Sequence, residues 1–254
     1  MPAVFKDHFS GVAAHYAASR PGYPDALFEA IAVYVPSTAE VWEPGCGSGQ
    51  ATRGLAARFA HVHACDPSAA QLARHWAQAQ PQANVTLRVE AADQPSLADA
   101  SVGLVAVAQA LHWFDREAFF AGCERVLRPG GVLAAWTYQD AVYDDDMAEA
   151  AEQVRDHIDP YWPPERNDVD LGYQHYRWPF EPLPAPNLVL TADWTLAQVL
   201  GYVGSLSAAV GYRQATGRDA VADLGPLLAA AWGDPAAARR IRWPLILHLR
   251  RKPD

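Results

Sequence analysis

The sequence predicts an α/β fold in which a mostly parallel sheet carries helices on both faces. Three observations predict it. Between residues 40 and 138, apolar runs of strand length alternate with helical patterns. One of these runs, Val102 to Ala108, is apolar throughout, as a central strand buried on both faces requires. The first run leads into the turn Glu43-Pro44-Gly45-Cys46-Gly47-Ser48-Gly49, where missing Cβ atoms let the backbone approach a ligand at the start of a helix.

The elements follow in order. Ala39 to Trp42 is a short strand, and Gln50 to Ala60 a helix with Leu55, Ala56 and Phe59 spaced to face a sheet. His61 to Cys65 is the second strand, ending at Asp66, and Ser68 to Gln78 an alanine-rich helix. Val85 to Val89 is the third strand and Val102 to Ala108 the fourth. Arg116 to Leu127 is a helix stopped by Arg128-Pro129-Gly130-Gly131, a turn signal before the strand Val132 to Tyr138. Residues 139–187 hold seven prolines and many aromatics, with one helix around Met147 to Ile158, and have the character of a lid. A strand over Leu188 to Trp194, helices over Leu196 to Ala215 and Val221 to Trp232, and a last strand over Ile241 to Leu249 complete the chain. The expected organisation is one domain: an N-terminal helical cap (1–38), a core (39–138), a lid (139–187) and C-terminal strands and helices (188–254).

Composition narrows the function. In 254 residues, half are hydrophobic and 19% charged, enough for a sizeable core. The net charge of -9 disfavours a nucleic-acid backbone as partner, since that affinity rests on Lys and Arg. The three cysteines form no spaced framework, so neither disulfides nor a metal site is expected. No signal peptide and no membrane-length apolar run is found, and the expected location is the cytoplasm. Monomer and homodimer both stay open.

A glycine turn alone is weak evidence, but Asp66 follows Gly45 by 66 - 45 = 21 positions, at the end of the second strand. There a carboxylate accepts the hydroxyls of a ribose. The dinucleotide pattern fails, because its third glycine would fall on Gln50 or Thr52. Glu43 disfavours a pyrophosphate and suits an ammonium group. The pattern therefore describes a ligand with a ribose and a zwitterionic end.

These motifs, with Asp66-Pro67-Ser68, Ala92-Asp93, Asp99-Ala100-Ser101-Val102, Ala108-Gln109-Ala110-Leu111-His112-Trp113-Phe114-Asp115 and Arg125-Val126-Leu127-Arg128-Pro129-Gly130-Gly131, resemble the class I S-adenosylmethionine-dependent methyltransferases of the type-11 group. Tyr16-Ala17-Ala18-Ser19-Arg20-Pro21-Gly22-Tyr23-Pro24, Tyr161-Trp162-Pro163-Pro164-Glu165-Arg166 and Tyr212-Arg213-Gln214-Ala215-Thr216-Gly217 are similar to the branch that includes yeast-type trans-aconitate methyltransferases. The resemblance implies a Rossmann-like sheet of seven strands, the last antiparallel, with S-adenosylmethionine as cofactor and S-adenosylhomocysteine as product. It places Gly45, Gly47 and Gly49 around the methionine and ribose, and Asp66 on the ribose hydroxyls. Ala92 and Asp93 fall at the adenine, Gln109 beside the sulfonium, Glu43 at the ammonium, and Tyr16 and Arg20 over the carboxylate. Two positions depart from the family pattern: Gly103, where Asp is common, and Leu206, where Trp is usual.

Around the reaction centre, His112 is the candidate base or substrate ligand, with packing of the loop as the competing reading. Trp113, Tyr138, Tyr161, Trp162 and Arg166 are candidates for the substrate wall. The lid aromatics Tyr143, Tyr173, Tyr176 and Trp178 suit either stacking on a substrate or holding the lid together. Cys46 and Cys123 are expected as packing residues, and Asp144, Asp145 and Asp146 as a solvated helix start. The expected activity is methyl transfer to oxygen or nitrogen of a small organic metabolite, carboxylates included. Methylation of RNA, DNA or protein, and a non-catalytic cofactor-binding homologue, are the alternatives.

Overall fold

The structure, a computed structural model, describes residues 20–78 and 82–254. Its elements run α1 (Asp25–Ala32), β1 (Glu40–Pro44), α2 (Thr52–Ala56), β2 (His61–Asp66), α3 (Ala69–Gln78), β3 (Val85–Val89) and β4 (Val102–Ala108). There follow α4 (Arg116–Val126), β5 (Leu127–Tyr138), α5 (Asp145–Ile158), α6 (Arg166–Asp170), β6 (Glu181–Leu183) and β7 (Leu188–Trp194). The chain ends with α7 (Leu196–Gly204), α8 (Ser207–Thr216), α9 (Ala220–Trp232) and β8 (Arg239–Arg251).

One sheet of order β3-β2-β1-β4-β5-β8-β6 holds the strands, with β7 also on β8. The pairs from β3 to β5 are parallel, and β8 is antiparallel to all its neighbours. The register explains why eight strands fill seven positions. Glu181 lies opposite Arg251, Leu188 opposite Leu245 and Trp194 opposite Arg239, so β6 and β7 lie end to end along β8. Pro184 and Pro186 fall in the gap between them, where a residue with no N–H cannot extend a ladder.

Successive residues of the central strands enter different cores, which is how a sheet covered on both faces must behave. Val41, Leu104, Val132 and Trp136 join one cluster, while Trp42, Val105, Leu133 and Ala135 join the other. Segment 139–187 contributes to both. Met147, Ala150, Val154 and Ile158 of α5 enter the first, and Val169, Tyr173, Tyr176 and Phe180 the second.

Three elements differ from the sequence reading. The helix expected over Gln50 to Ala60 is regular only from Thr52 to Ala56, because the Asn84 amide donates to the carbonyls of Ala56 and Phe59 and ends it there. Arg128-Pro129-Gly130-Gly131 lies inside β5 and is not a separating turn. Leu127 is already extended and pairs with Val102, and Gly130, at φ +70°, donates its N–H to Lys252. The helix expected over Leu196 to Ala215 is two helices, broken where Ser205 turns its hydroxyl to the Tyr202 carbonyl and Leu206 becomes extended. The acidic run opens α5 as expected, with Asp144 and Asp146 meeting Arg242 and Arg239 of β8.

Gly103 sits on β4 where a Cβ would come within 2.9 Å of the Ala39 Cβ, so the strand has no room for the Asp of the family pattern. Gly103→Ala is expected to cost ~1–3 kcal/mol in denaturant unfolding, the usual scale of overpacking. The same substitution made in an Ala39→Gly background should cost less.

Candidate active site

The glycine turn is held from both sides. Gly45, Gly47 and Gly49 have φ of +68°, +55° and +83°, a region that favours glycine. A Cβ on Gly45 would meet the Ala110 Cβ at 2.8 Å, and one on Gly49 would collide with the His75 ring. At Gly47 no atom lies within 4 Å, so that glycine borders open space. Asp66, at the end of β2, accepts the N–H of Gly47 at 3.0 Å through one oxygen and that of Ser68 at 2.8 Å through the other. The carboxylate thus ties the turn after β1 to the loop after β2.

Glu43 lies beneath this turn with no exposed surface, and neither carboxyl oxygen has a hydrogen-bond partner among the described residues. Burial pushes the Glu43 pKa up from 4.5 to about 8, and Thr52 and Arg53 offset only part of that. Ala92 is buried and Asp93 half-buried after β3. Tyr16 lies outside the described residues.

On the other side of the turn, Arg20, Gln109, His112, Trp113, Tyr138 and Trp162 line a polar cavity of about 50 Å³, with Arg166, Tyr202 and Leu206 among its other walls. Arg20 donates to the Tyr138 hydroxyl at 3.1 Å and the Ser205 carbonyl at 2.8 Å, with its guanidinium 5.5 Å from the Tyr202 ring centre. Gln109 has a φ of +52° just after β4. Its side-chain carbonyl accepts from Tyr138 N–H at 2.7 Å and from the Thr137 hydroxyl at 2.9 Å, so the side chain is bound to β5. His112 Nδ1 lies 2.8 Å from the Tyr173 hydroxyl, and burial pulls its pKa down to about 3 despite the nearby Asp168.

Two substrate candidates sit differently from the others. Tyr161 is not a wall of this cavity and packs edge-on to Tyr212 at 5.1 Å. Arg166 reaches the cavity but is held by Asp140 at 2.6 Å and Asp170 at 2.7 Å, and lies 4.4 Å over the Trp162 ring. Tyr202 and Ser207 are walls the sequence reading missed. Their only signal was the Gly204-Ser205 pair interrupting a helical pattern. The three cysteines are buried, and burial raises every thiol pKa, as packing residues require.

Trp162, Tyr202 and Leu206 also border a second cavity, of about 330 Å³. Its further walls include Ala141, Val142, Val154, Ile158 and Val203, which makes it largely apolar. Asp140, Glu152 and Arg155 stand among its polar residues. Among the described residues no cluster of His, Cys, Asp and Glu is arranged to hold a metal ion, and no helix is long and apolar enough to cross a membrane.

A sheet of this order with a glycine turn after its first strand defines a Rossmann-like methyltransferase fold, and the comparisons agree. The methyltransferase domain model matches residues 42–135. A methyltransferase-named protein of Dictyostelium discoideum is 30% identical over 236 residues, covering 91% of this chain and 88% of that protein. A solved type II methyltransferase structure from Anaeromyxobacter dehalogenans is 39% identical with a TM-score of 0.83, covering 92% of this chain and 99% of that one. The trans-aconitate 2-methyltransferase of Deinococcus radiodurans is 42% identical over 99 residues, covering 38% of this chain and 36% of that enzyme. The chain belongs to the methyltransferase family and is an S-adenosylmethionine-dependent enzyme.

The residues present fit that cofactor: a buried carboxyl without a hydrogen-bond partner among the described residues, and a turn whose middle glycine has space where a side chain would otherwise stand. Glu43 gives a pH signature. A carboxyl whose folded pKa lies above its unfolded value stabilises the protein fully below about pH 4.5, and that stability is lost as pH rises through about 8. Denaturant unfolding of the cofactor-free protein should show this loss between those pH values, and Glu43→Gln should flatten it.

Proposed function

We propose that the enzyme transfers a methyl group to an oxygen or nitrogen atom of a small organic metabolite, the class that includes carboxylates, hydroxyls and amines. The observation that carries this reading is the pair of neighbouring cavities that share the walls Trp162, Tyr202 and Leu206. The polar one of about 50 Å³ suits the reacting group, and the apolar one of about 330 Å³ suits the body of a small molecule. The cofactor supplies an electrophilic methyl on a sulfonium, and the protein's own task is to align a nucleophile with it and to exclude water.

In this reading the Gly47 face receives the ribose and methionine, Asp66 accepts the ribose hydroxyls, and Glu43 faces the ammonium. Tyr16 and Arg20 attend the methionine carboxylate, and Ala92 and Asp93 border the adenine. Gln109 presents its backbone beside the sulfonium, because its side chain is held by Tyr138 and Thr137. Trp113, Tyr138, Trp162 and Arg166 enclose the acceptor, with Tyr161 behind them. A net charge of -9 supports a small acceptor over nucleic acid, and the protein acts in the cytoplasm.

Incubation with methyl-labelled S-adenosylmethionine and a metabolite extract should yield a labelled small product. Cofactor binding with no labelled product would sink the reading. By calorimetry, Gly47→Val should abolish cofactor binding, and Asp66→Ala should weaken it by ~1–3 kcal/mol, the scale of hydrogen bonds to a charged acceptor. Leu206→Trp, placed where the two cavities meet, should raise KM for the acceptor and leave cofactor affinity unchanged.

A further inference from the structure

Two phenols stand at the polar cavity with their hydrogen-bond polarity fixed from behind. The Tyr138 oxygen accepts from the Arg20 guanidinium at 3.1 Å, and the Tyr202 oxygen accepts from the Trp243 indole N–H at 3.1 Å. Guanidinium and indole nitrogens are donors only, so in both contacts the phenol oxygen must be the acceptor. Each phenol therefore keeps its own O–H proton for another partner, and among the described residues neither proton has an acceptor. Both tyrosines are buried, and both are walls of the cavity of about 50 Å³. Trp243 is fully buried in β8, so a ligand entering the cavity cannot replace it behind Tyr202. Burial, and after it the neighbouring Tyr138 phenol, raises the Tyr202 pKa, which keeps this O–H protonated. A buried O–H without an acceptor costs free energy, and a ligand oxygen that accepts from it removes that cost.

We propose that Tyr138 and Tyr202 are specificity-determining residues that offer a pair of O–H donors to the methyl acceptor, and that this molecule carries a carbonyl-type oxygen, of an uncharged carbonyl group or a carboxylate, on an apolar body. The inference rests on the methyl-transfer reading and narrows its substrate class. A carbonyl-type oxygen has two lone pairs and no proton, so it can take both O–H groups at once. An ammonium group has only protons to offer. It would meet two O–H hydrogens, two phenol oxygens already engaged by their donors, and the Arg20 charge behind Tyr138. The position of Tyr202 supplies the rest of the ligand. With Trp162 and Leu206 it is also a wall of the apolar cavity of about 330 Å³. A molecule with its oxygen on Tyr202 therefore extends its apolar body past Leu206 into the larger cavity. A few placed polar groups beside an apolar wall are how small-molecule sites fix orientation.

The donor pair is readable without turnover. Hexanamide, hexanoate and hexylamine share one apolar body and differ in the head group, and each is titrated at pH 7 into the enzyme loaded with S-adenosylhomocysteine. Hexanamide or hexanoate should bind more tightly than hexylamine by about tenfold or more, and the tighter of the two tells an uncharged carbonyl from a carboxylate. In protein with ¹³Cζ-labelled tyrosine, the Tyr138 and Tyr202 signals are found by their loss in Tyr138→Phe and Tyr202→Phe. Both should shift with the amide or the carboxylate and stay in place with the amine. Each Phe variant should weaken binding of the preferred compound by ~2–10-fold, the scale of one neutral hydrogen bond, and leave hexylamine unaffected. Hexylamine binding as tightly as the other two, wild-type affinity in a folded Phe variant, or unmoved tyrosine signals overturn the proposal. If one Phe variant fails to fold, the ligand preference and the other tyrosine still decide. A labelled product of the metabolite extract with no carbonyl-type oxygen also overturns it. An extract that yields no labelled product counts against methyl transfer itself, while the titrations still report the donor pair.

Discussion

The contact on which the site depends is the Asp66 carboxylate, whose two oxygens take backbone N–H groups from two different loops, Gly47 after β1 and Ser68 after β2. Hydrogen bonds to an ionised acceptor are among the stronger ones, and here they act at a side chain only 8% exposed. They hold the left-handed backbone of the turn in one shape. With that shape set, Gly45 lies against Ala110 and Phe114, and Gly49 lies against the His75 ring. The turn is thereby registered to the loop after β4, which carries Gln109, His112 and Trp113. One buried carboxylate therefore ties the turn after β1 to the loop after β2 and, through the packing of Gly45, to the loop after β4.

Glu43 makes a different use of burial. It sits at the end of β1 with no hydrogen-bond partner among the described residues, an arrangement that costs stability if the group is charged and that proteins usually avoid. Its raised pKa keeps it neutral when no cation is near. A cation brought close to such a carboxyl would favour its ionised form and release a proton. The acid is thus a poor contributor to the stability of the fold, and acids shifted in this way concentrate at functional sites.

How much of this was legible in the sequence depended on where each signal was carried. The strands β4 and β7 matched their expected bounds, Val102–Ala108 and Leu188–Trp194, because apolar runs and turn residues mark both ends. The glycine turn and Asp66 were legible because backbone geometry demands particular residue types there. The break between α7 and α8 was not, since Ser205 ends the helix through a hydrogen bond and a contact with Arg20, which lies 185 residues away in sequence. Nor was the partnership of Gly103 with Ala39, which exists only once β4 lies beside β1. Arg166 illustrates the limit. Its residue type suited an anion ligand and a structural ion pair equally, and Asp140 and Asp170, which neutralise it, became neighbours only through α6 and the loop after β5.

That neutralisation bears on what the cavity accepts. A carboxylate entering from water must lose its hydration, and a buried charge is tolerated only where an opposite charge replaces those contacts. Arg166 has already given its charge to two carboxylates, one on each side, and is only 13% exposed. Arg20 directs its guanidinium to the Tyr138 hydroxyl and the Ser205 carbonyl, on the side of the cavity nearest the break between α7 and α8. The other polar walls of that cavity are uncharged: Gln109, His112, Tyr138, Tyr202 and Ser207 among them. The apolar cavity beyond Leu206 adds no cation except Arg155, whose partner is Glu152. The cationic side chains of both cavities are thus already engaged within the fold, so an entering carboxylate would find no unpaired positive charge among these walls.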